Sequence, residues 1–143
     1  MKIHIITIGK PKLAYAKTGW DEYILRLRHY HTVRVTHLAD KFINDTTKIL
    51  EACGNGFTVS LVIDGKEFTS ESLANLLRDK ELESREVVFI IGGSTGLPEQ
   101  VIERTDLAWS LGRLTFPHDL AMVVTAEALY RASTITSGHP YHK

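Results

Sequence analysis

Two short runs constrain this chain more than any other feature: Phe57–Ile63 (FTVSLVI) and Val87–Ile91 (VVFII). Both are dominated by β-branched and large apolar residues. A strand with one wet face alternates apolar and polar side chains. These runs do not, so each reads as a strand buried on both faces. Such strands need helices above and below the sheet, and the flanking segments supply them. Lys2–Ile8 reads as a first strand stopped by Gly9, and Thr32–Leu38 as a second, with Val33 and Val35 on one side. Tyr23, Leu27 and Tyr30 recur at helical spacing, which predicts a helix over Ala14–Tyr30. Asn44–Cys53 reads as a helix capped by Asn44 or Asp45 and closed by Gly54 and Gly56. Asp64-Gly65-Lys66 reads as a turn, and Ser70–Leu82 as a helix with Leu73, Leu76 and Leu77 inward. Pro98 reads as a first-turn residue of a short helix ending at Arg104, Leu107–Leu111 as a brief strand, and Leu120–Ser133 as a final helix. Strands alternating with helices predict an α/β fold with a parallel sheet covered on both faces, in one domain spanning 1–143.

Bulk properties narrow the function classes. The 143 residues are 43% hydrophobic and 24% charged, as in ordinary folded proteins and unlike disordered ones. A single cysteine, Cys53, excludes an intrachain disulfide and suits a reducing compartment, so a cytoplasmic location is expected. No apolar run reaches the roughly 20 residues that cross a bilayer, and the N-terminal segment is too short and strand-like for a signal peptide. Seventeen basic residues balance seventeen acidic ones. A freestanding nucleic-acid binder carries a basic excess to release counterions. If RNA is the substrate, positive charge is concentrated locally, or a preformed particle supplies much of the recognition.

In a parallel α/β sheet, ligands sit beyond the carboxyl ends of the strands, here at Gly65, Gly92 and the loop after Leu111. Phe89–Leu97 (FIIGGSTGL) feeds a buried strand into a glycine-rich turn, where a ligand can approach the main chain. A glycine pair is equally at home in an ordinary strand-to-helix connection. The spacing of Gly92, Gly93 and Gly96 matches neither a dinucleotide fingerprint nor a phosphate-binding loop. Ser110–His118 (SLGRLTFPH) mixes apolar groups, a glycine, Arg113 and a Pro-His pair, which suits an apolar slot for an adenosine or a buried connector. The tail, Ala132–Lys143 (ASTITSGHPYHK), offers Tyr141 to stack on a base and His142 to bond a phosphate or a base edge, unless it is simply a solvated end. There is no cysteine pair for zinc, no His-Glu-x-x-His and no nucleophile elbow, and no metal is expected.

In order along the chain, the MKIxIIxIGK start, Phe89–Leu97, Leu114–His118 (LTFPH), Leu129–Ala132 (LYRA) and Pro140–Lys143 (PYHK) together resemble the RlmH family. These are SPOUT-class methyltransferases that modify N3 of a pseudouridine in large-subunit (23S) ribosomal RNA. The resemblance covers the whole chain, with the stretch around Asp40–Asn44 shortened. It implies a trefoil knot and a cofactor site within about residues 87–143, S-adenosylmethionine as cofactor, a homodimer, and the assembled ribosome as substrate. Carried onto this chain, the cofactor positions are Leu61, Gly92 and the run Leu111, Gly112, Arg113, Leu114, Thr115 and Phe116. His118, Arg131, Tyr141 and His142 are the catalytic candidates, with Tyr141 and His142 placing the nucleoside. Two positions depart from the family: Met122 stands where an arginine is usual, and Ala128 where a glutamine is usual. These departures leave a second reading, a ribosome-associated cofactor-binding module without catalysis, and a third, a methyltransferase redirected to another RNA.

Overall fold

Every strand pairing in the computed structural model, which describes residues 1–143, is parallel. The strands are β1 (Lys2–Ile8), β2 (Thr32–Leu38), β3 (Phe57–Val62), β4 (Lys66–Glu67), β5 (Val87–Ile91) and β6 (Leu107–Ser110), in the spatial order β2-β1-β5-β3-β6-β4. The helices are α1 (Ala14–Leu27), α2 (Thr46–Cys53), α3 (Ser70–Leu82), α4 (Glu99–Arg104) and α5 (His118–Ser137).

The run Val87–Ile91 lies inside the sheet, between β1 and β3, and all five of its residues are buried. Its side chains divide between two cores by the period-2 geometry of a strand. Val87, Phe89 and Ile91 join Trp20, Leu77, Met122 and Leu129 under α1, α3 and α5. Val88 and Ile90 join Ile49, Cys53 and Val101 under α2 and α4. This explains the missing alternation: neither face of β5 meets water. Phe89 is fully buried and stacks edge-on against Trp109, so truncating it to alanine costs about 3–5 kcal/mol.

β3 and β6 each end one residue earlier than the sequence expectation, at Val62 and Ser110, and four larger differences have local reasons. α1 ends at Leu27, not Tyr30, because the N–H groups of Tyr30 and His31 both turn back to the Leu27 carbonyl. That turn brings the His31 ring to Ser133 on α5, 2.8 Å away. Lys66 and Glu67 form a two-residue strand on β6 instead of ending in the turn. Gly65 permits this, since a Cβ there would lie 2.8 Å from the Ala108 carbonyl oxygen. Pro98 is the N-cap of α4 and not its first helical residue. α5 is longer at both ends than Leu120–Ser133. Its last turns survive a Ser/Thr-rich stretch because the hydroxyls of Ser133, Thr134, Thr136 and Ser137 bond back to preceding carbonyls. Gly138, at φ 76°, then closes the helix in the left-handed conformation. Of the two cap candidates for α2, Asp45 takes the role, its side chain accepting from the Lys48 N–H.

Candidate active site

The carboxyl ends of β3, β5 and β6, together with the first turns of α5, enclose a cavity of about 500 Å³. Its size and mixed apolar lining fit a small-molecule site. Seven of the eight sequence-predicted cofactor positions line it: Leu61, Gly92, Leu111, Gly112, Leu114, Thr115 and Phe116. Arg113 does not; it is exposed on the same loop and contributes nothing to the wall. The wall also includes Val62 at the end of β3, Ile63 and Asp64 after it, the Ser94–Leu97 part of the glycine-rich turn, and Ile102 and Ala121. Spatial neighbourhood alone brings in Ile102 and Ala121.

The glycine turn is built for close approach. A Cβ on Gly92 would lie 2.6 Å from the Gly96 carbonyl carbon and 2.7 Å from the Leu97 nitrogen, so the chain folds back over this residue with no room for a side chain. Gly96, at φ 80°, makes the reversal. On the other wall Ser110 stitches two loops: its hydroxyl donates to the Ile63 carbonyl at 2.7 Å and accepts the Gly112 N–H at 3.1 Å. The post-β3 and post-β6 loops are therefore held together before any ligand arrives.

His118, the first residue of α5, lines this cavity. Its Nδ1 lies 3.4 Å from an Asp119 oxygen, while its Nε2 is buried with no hydrogen-bond partner. Asp119 is itself buried, and its other oxygen accepts the N–H groups of Lys12 and Leu13 at 2.8 and 2.7 Å. Burial pushes the Asp119 carboxyl up, but the main-chain donors of Leu13 and Lys12, and then His118, outweigh it and leave the group below its usual range. An ionised Asp119 favours a proton on His118 Nδ1, which leaves Nε2 as an acceptor without a partner.

The other three catalytic candidates form a separate cluster at the far end of α5. Arg131 bonds Glu127 at 2.8 Å and lies over the Tyr141 ring, 4.8 Å from its centroid. The Tyr141 hydroxyl donates to Glu127 at 3.2 Å, and its ring packs edge-on against Tyr130 at 4.7 Å. Burial, then Tyr23 and Glu127 beside it, raise the Tyr141 phenol well above its ordinary value. His142 Nδ1 accepts from Arg131 at 3.1 Å, and Nε2 meets Glu71 of α3 at 2.9 Å. Sequence reasoning found Arg131, Tyr141 and His142 but not Glu127 and Glu71, the carboxylates that organise them. The four-residue spacing of Glu127 and Arg131 is a readable helix pair; nothing local marks Glu71. Thirteen residues of helix separate His118 from Arg131, about 20 Å at 1.5 Å per residue. Within one chain the cavity and the tail cluster are thus separate sites.

Met122, the departure from the family pattern, is fully buried on the inner side of α5 and packs into the larger core. No three His, Cys, Asp or Glu side chains gather as a metal site. No helix is long and apolar enough to cross a membrane.

Comparison with known proteins identifies the family. A family model described as predicted SPOUT methyltransferase matches residues 1–142. Ribosomal RNA large subunit methyltransferase H of Deinococcus radiodurans is 48% identical over all of this chain and 99% of its own length. The protein of the same name from Deinococcus deserti is 43% identical, and that from Streptococcus gordonii 37%, each over the full length of both chains. The crystal structure of tRNA (m1G37) methyltransferase from Aquifex aeolicus superposes with a TM-score of 0.60, covering all of this chain and 73% of that one at 15% identity, a likeness of fold. The chain belongs to the SPOUT methyltransferases, within the family of the ribosomal RNA large subunit methyltransferases H.

Proposed function

We propose that this protein methylates N3 of a pseudouridine in large-subunit ribosomal RNA, on the assembled ribosome and in the cytoplasm, using S-adenosylmethionine. The observation that carries the reading is the cavity at the strand ends. It is of cofactor size, has a tightly folded glycine turn in its wall, and is lined by a histidine whose buried Nε2 has no bonding partner. The relatives' name supplies the RNA class.

The lining fits a nucleoside cofactor. Leu61, Leu111, Leu114 and Phe116 offer apolar surface for an adenosine, and the main chain of Gly92 and Gly112 offers donors and acceptors for its edges. Bound there, S-adenosylmethionine supplies a methyl group on a sulfonium, a strong electrophile that needs positioning more than activation. The pseudouridine N3–H is an imide and loses its proton as the methyl is added. In this reading His118 Nε2 accepts that hydrogen, with Asp119 holding the ring's tautomer. Tyr141 and His142 orient the nucleoside. Because about 20 Å of α5 lies between His118 and Arg131 in one chain, the tail that completes a cavity comes from the second subunit of a homodimer. The trefoil threading of residues 87–143 belongs to the same reading.

His118→Gln tests it, read by methyl transfer to ribosomes from cells lacking the enzyme and by calorimetry with S-adenosylmethionine. The expected outcome is a fall in kcat of about 100-fold with cofactor affinity nearly unchanged, the usual range for losing a general base. Unchanged kcat would remove His118 from the chemistry. Absence of transfer by the wild type, with the cofactor still bound, would favour a binding module without catalysis.

A further inference from the structure

The balanced charge of the chain leaves open how it holds a polyanion, and the molecule carries an answer beside the cavity. Lys10 and Lys12 lie on the loop between β1 and α1; Lys41 lies in the 3₁₀ turn Asp40–Phe42 after β2; Lys48 lies on α2. All four are exposed. The ammonium groups of Lys41 and Lys48 each sit 5.1 Å from the centroid of the same Phe42 ring. The two loops are joined, since the Gly9 N–H donates to the Leu38 carbonyl at 2.7 Å and Lys12 pairs with Asp40 at 3.3 Å. The carboxylates around them are Asp40, engaged by Lys12, Asp45, engaged as the cap of α2, the buried Asp119, which accepts the Lys12 and Leu13 N–H groups, and Asp21, which acts with Lys10 on His37. Three of these four acids are already partnered within the fold.

This cluster is fastened to the cavity wall at two points. Ile43, next to Phe42, packs on Gly93 of the glycine turn, where a Cβ would lie 2.7 Å from the Ile43 side chain. The Lys12 and Leu13 N–H groups bond Asp119, the neighbour of His118. Both loops are thereby set in fixed relation to the atoms where a nucleoside would react.

We propose that Lys10, Lys12, Lys41 and Lys48 form a cradle for the RNA phosphodiester backbone flanking the target nucleoside, a second contact surface beyond the cavity and the tail. It rests on the proposed RNA methyltransferase activity and adds where the strand lies. Ammonium groups bond phosphate as point charges without reading sequence, so the cradle positions the strand while the cavity and tail select the base. Local concentration of positive charge at the site reconciles RNA binding with a net charge of zero.

The test is the triple variant Lys10→Gln, Lys41→Gln, Lys48→Gln beside a control triple at the amino ends of the strands, Lys2→Gln, Arg78→Gln, Arg85→Gln. Both remove the same charge from exposed positions. Thermal unfolding and calorimetry with S-adenosylmethionine should match the wild type for both. For the first triple, KM for unmethylated ribosomes should rise about tenfold or more with kcat within about twofold, and the slope of log affinity against log salt for a labelled single-stranded oligouridylate should shrink by about 2, at about 0.7 per lost phosphate contact. The control should move neither. Unchanged KM and slope in the first triple, with wild-type transfer intact, would overturn the cradle. A raised KM with an unchanged salt slope would equally overturn it, by assigning the surface to a protein contact on the ribosome. If the wild type transfers no methyl group to ribosomes, the parent reading fails, and the oligouridylate slope still decides whether these lysines hold RNA.

Discussion

The cavity at the strand ends and the cluster at the C-terminal tail are both built largely from the last third of the chain, yet they are prepared in opposite ways. Around the cavity, polar capacity is left open: His118 Nε2 is buried without a partner, and Leu114, on the rim, is 76% exposed. In the tail nearly every functional group is already engaged, with Arg131 on Glu127, Tyr141 on Glu127, and His142 between Arg131 and Glu71. The contrast separates two ways of being ready. The cavity is preorganised by backbone shape and keeps its bonding capacity for a ligand. The tail is preorganised by internal bonds, which hold two rings in place and already occupy most of its polar groups.

The sharpest way to break this contrast is to give the glycine turn a side chain. Gly92→Val should weaken S-adenosylmethionine binding by about 100-fold or more in calorimetry, because the turn must open to admit atoms that would overlap the Gly96 and Leu97 main chain. Near-normal affinity would mean that the cavity adapts instead of being preformed. The tail should respond differently. Arg131→Ala removes the group that joins Glu127, Tyr141 and His142, and should lower kcat about tenfold while cofactor affinity in the same subunit stays within about twofold. Tyr141→Phe, which keeps the ring against Tyr130 and loses only the bond to Glu127, should cost less.

A smaller effect separates the two ends of α5 by pH. His31 bonds Ser133 on the tail half of that helix. Burial, and then the nearby N-terminal ammonium, hold its pKa down to about 4, against 6.5 in the unfolded chain. Between these values the unfolded state binds more protons, so folding stability falls as pH drops from about 6.5 to about 4. The urea midpoint should follow that decline, and His31→Gln should flatten it. Smallest of all, Leu114→Ala should leave the unfolding midpoint within about 0.5 kcal/mol of wild type, as at an exposed site, yet weaken cofactor binding a few-fold. A large stability loss would show that the rim is packed and not waiting for a ligand.

The sheet was legible in the sequence because burial on both faces leaves a compositional mark: β1 and β5 begin and end where the apolar, β-branched runs do, while the edge strand β2 showed through its alternation. The cavity was legible as three separate segments, and their match to one family joined them before any geometry did. What stayed hidden depends on distant partners. β4 is two residues long and exists through its pairing with β6. Glu71 reaches His142 across a sequence separation that no local pattern reports. Ile102 of α4 and Ala121 of α5 enter the cavity wall because the fold brings their helices to the strand ends. Arg113 shows the converse, a residue inside the matching loop whose side chain the fold leaves outside the cavity.

The place of β5 between β1 and β3 also bears on how the chain is made. Ile3 pairs with Val87, so β1 must wait for more than half the protein to emerge before one of its edges is covered. Until then a nascent chain holds β1 beside β2 alone, with isoleucines uncovered on its faces and open backbone donors and acceptors along its other edge. Such an edge invites pairing with another chain, and long-range parallel pairing is slow. A ribosome stalled just short of Val87 would therefore display a sticky, half-built sheet. Synthesis of this small protein should depend on uninterrupted elongation, or on a chaperone near the exit tunnel, more than its size suggests.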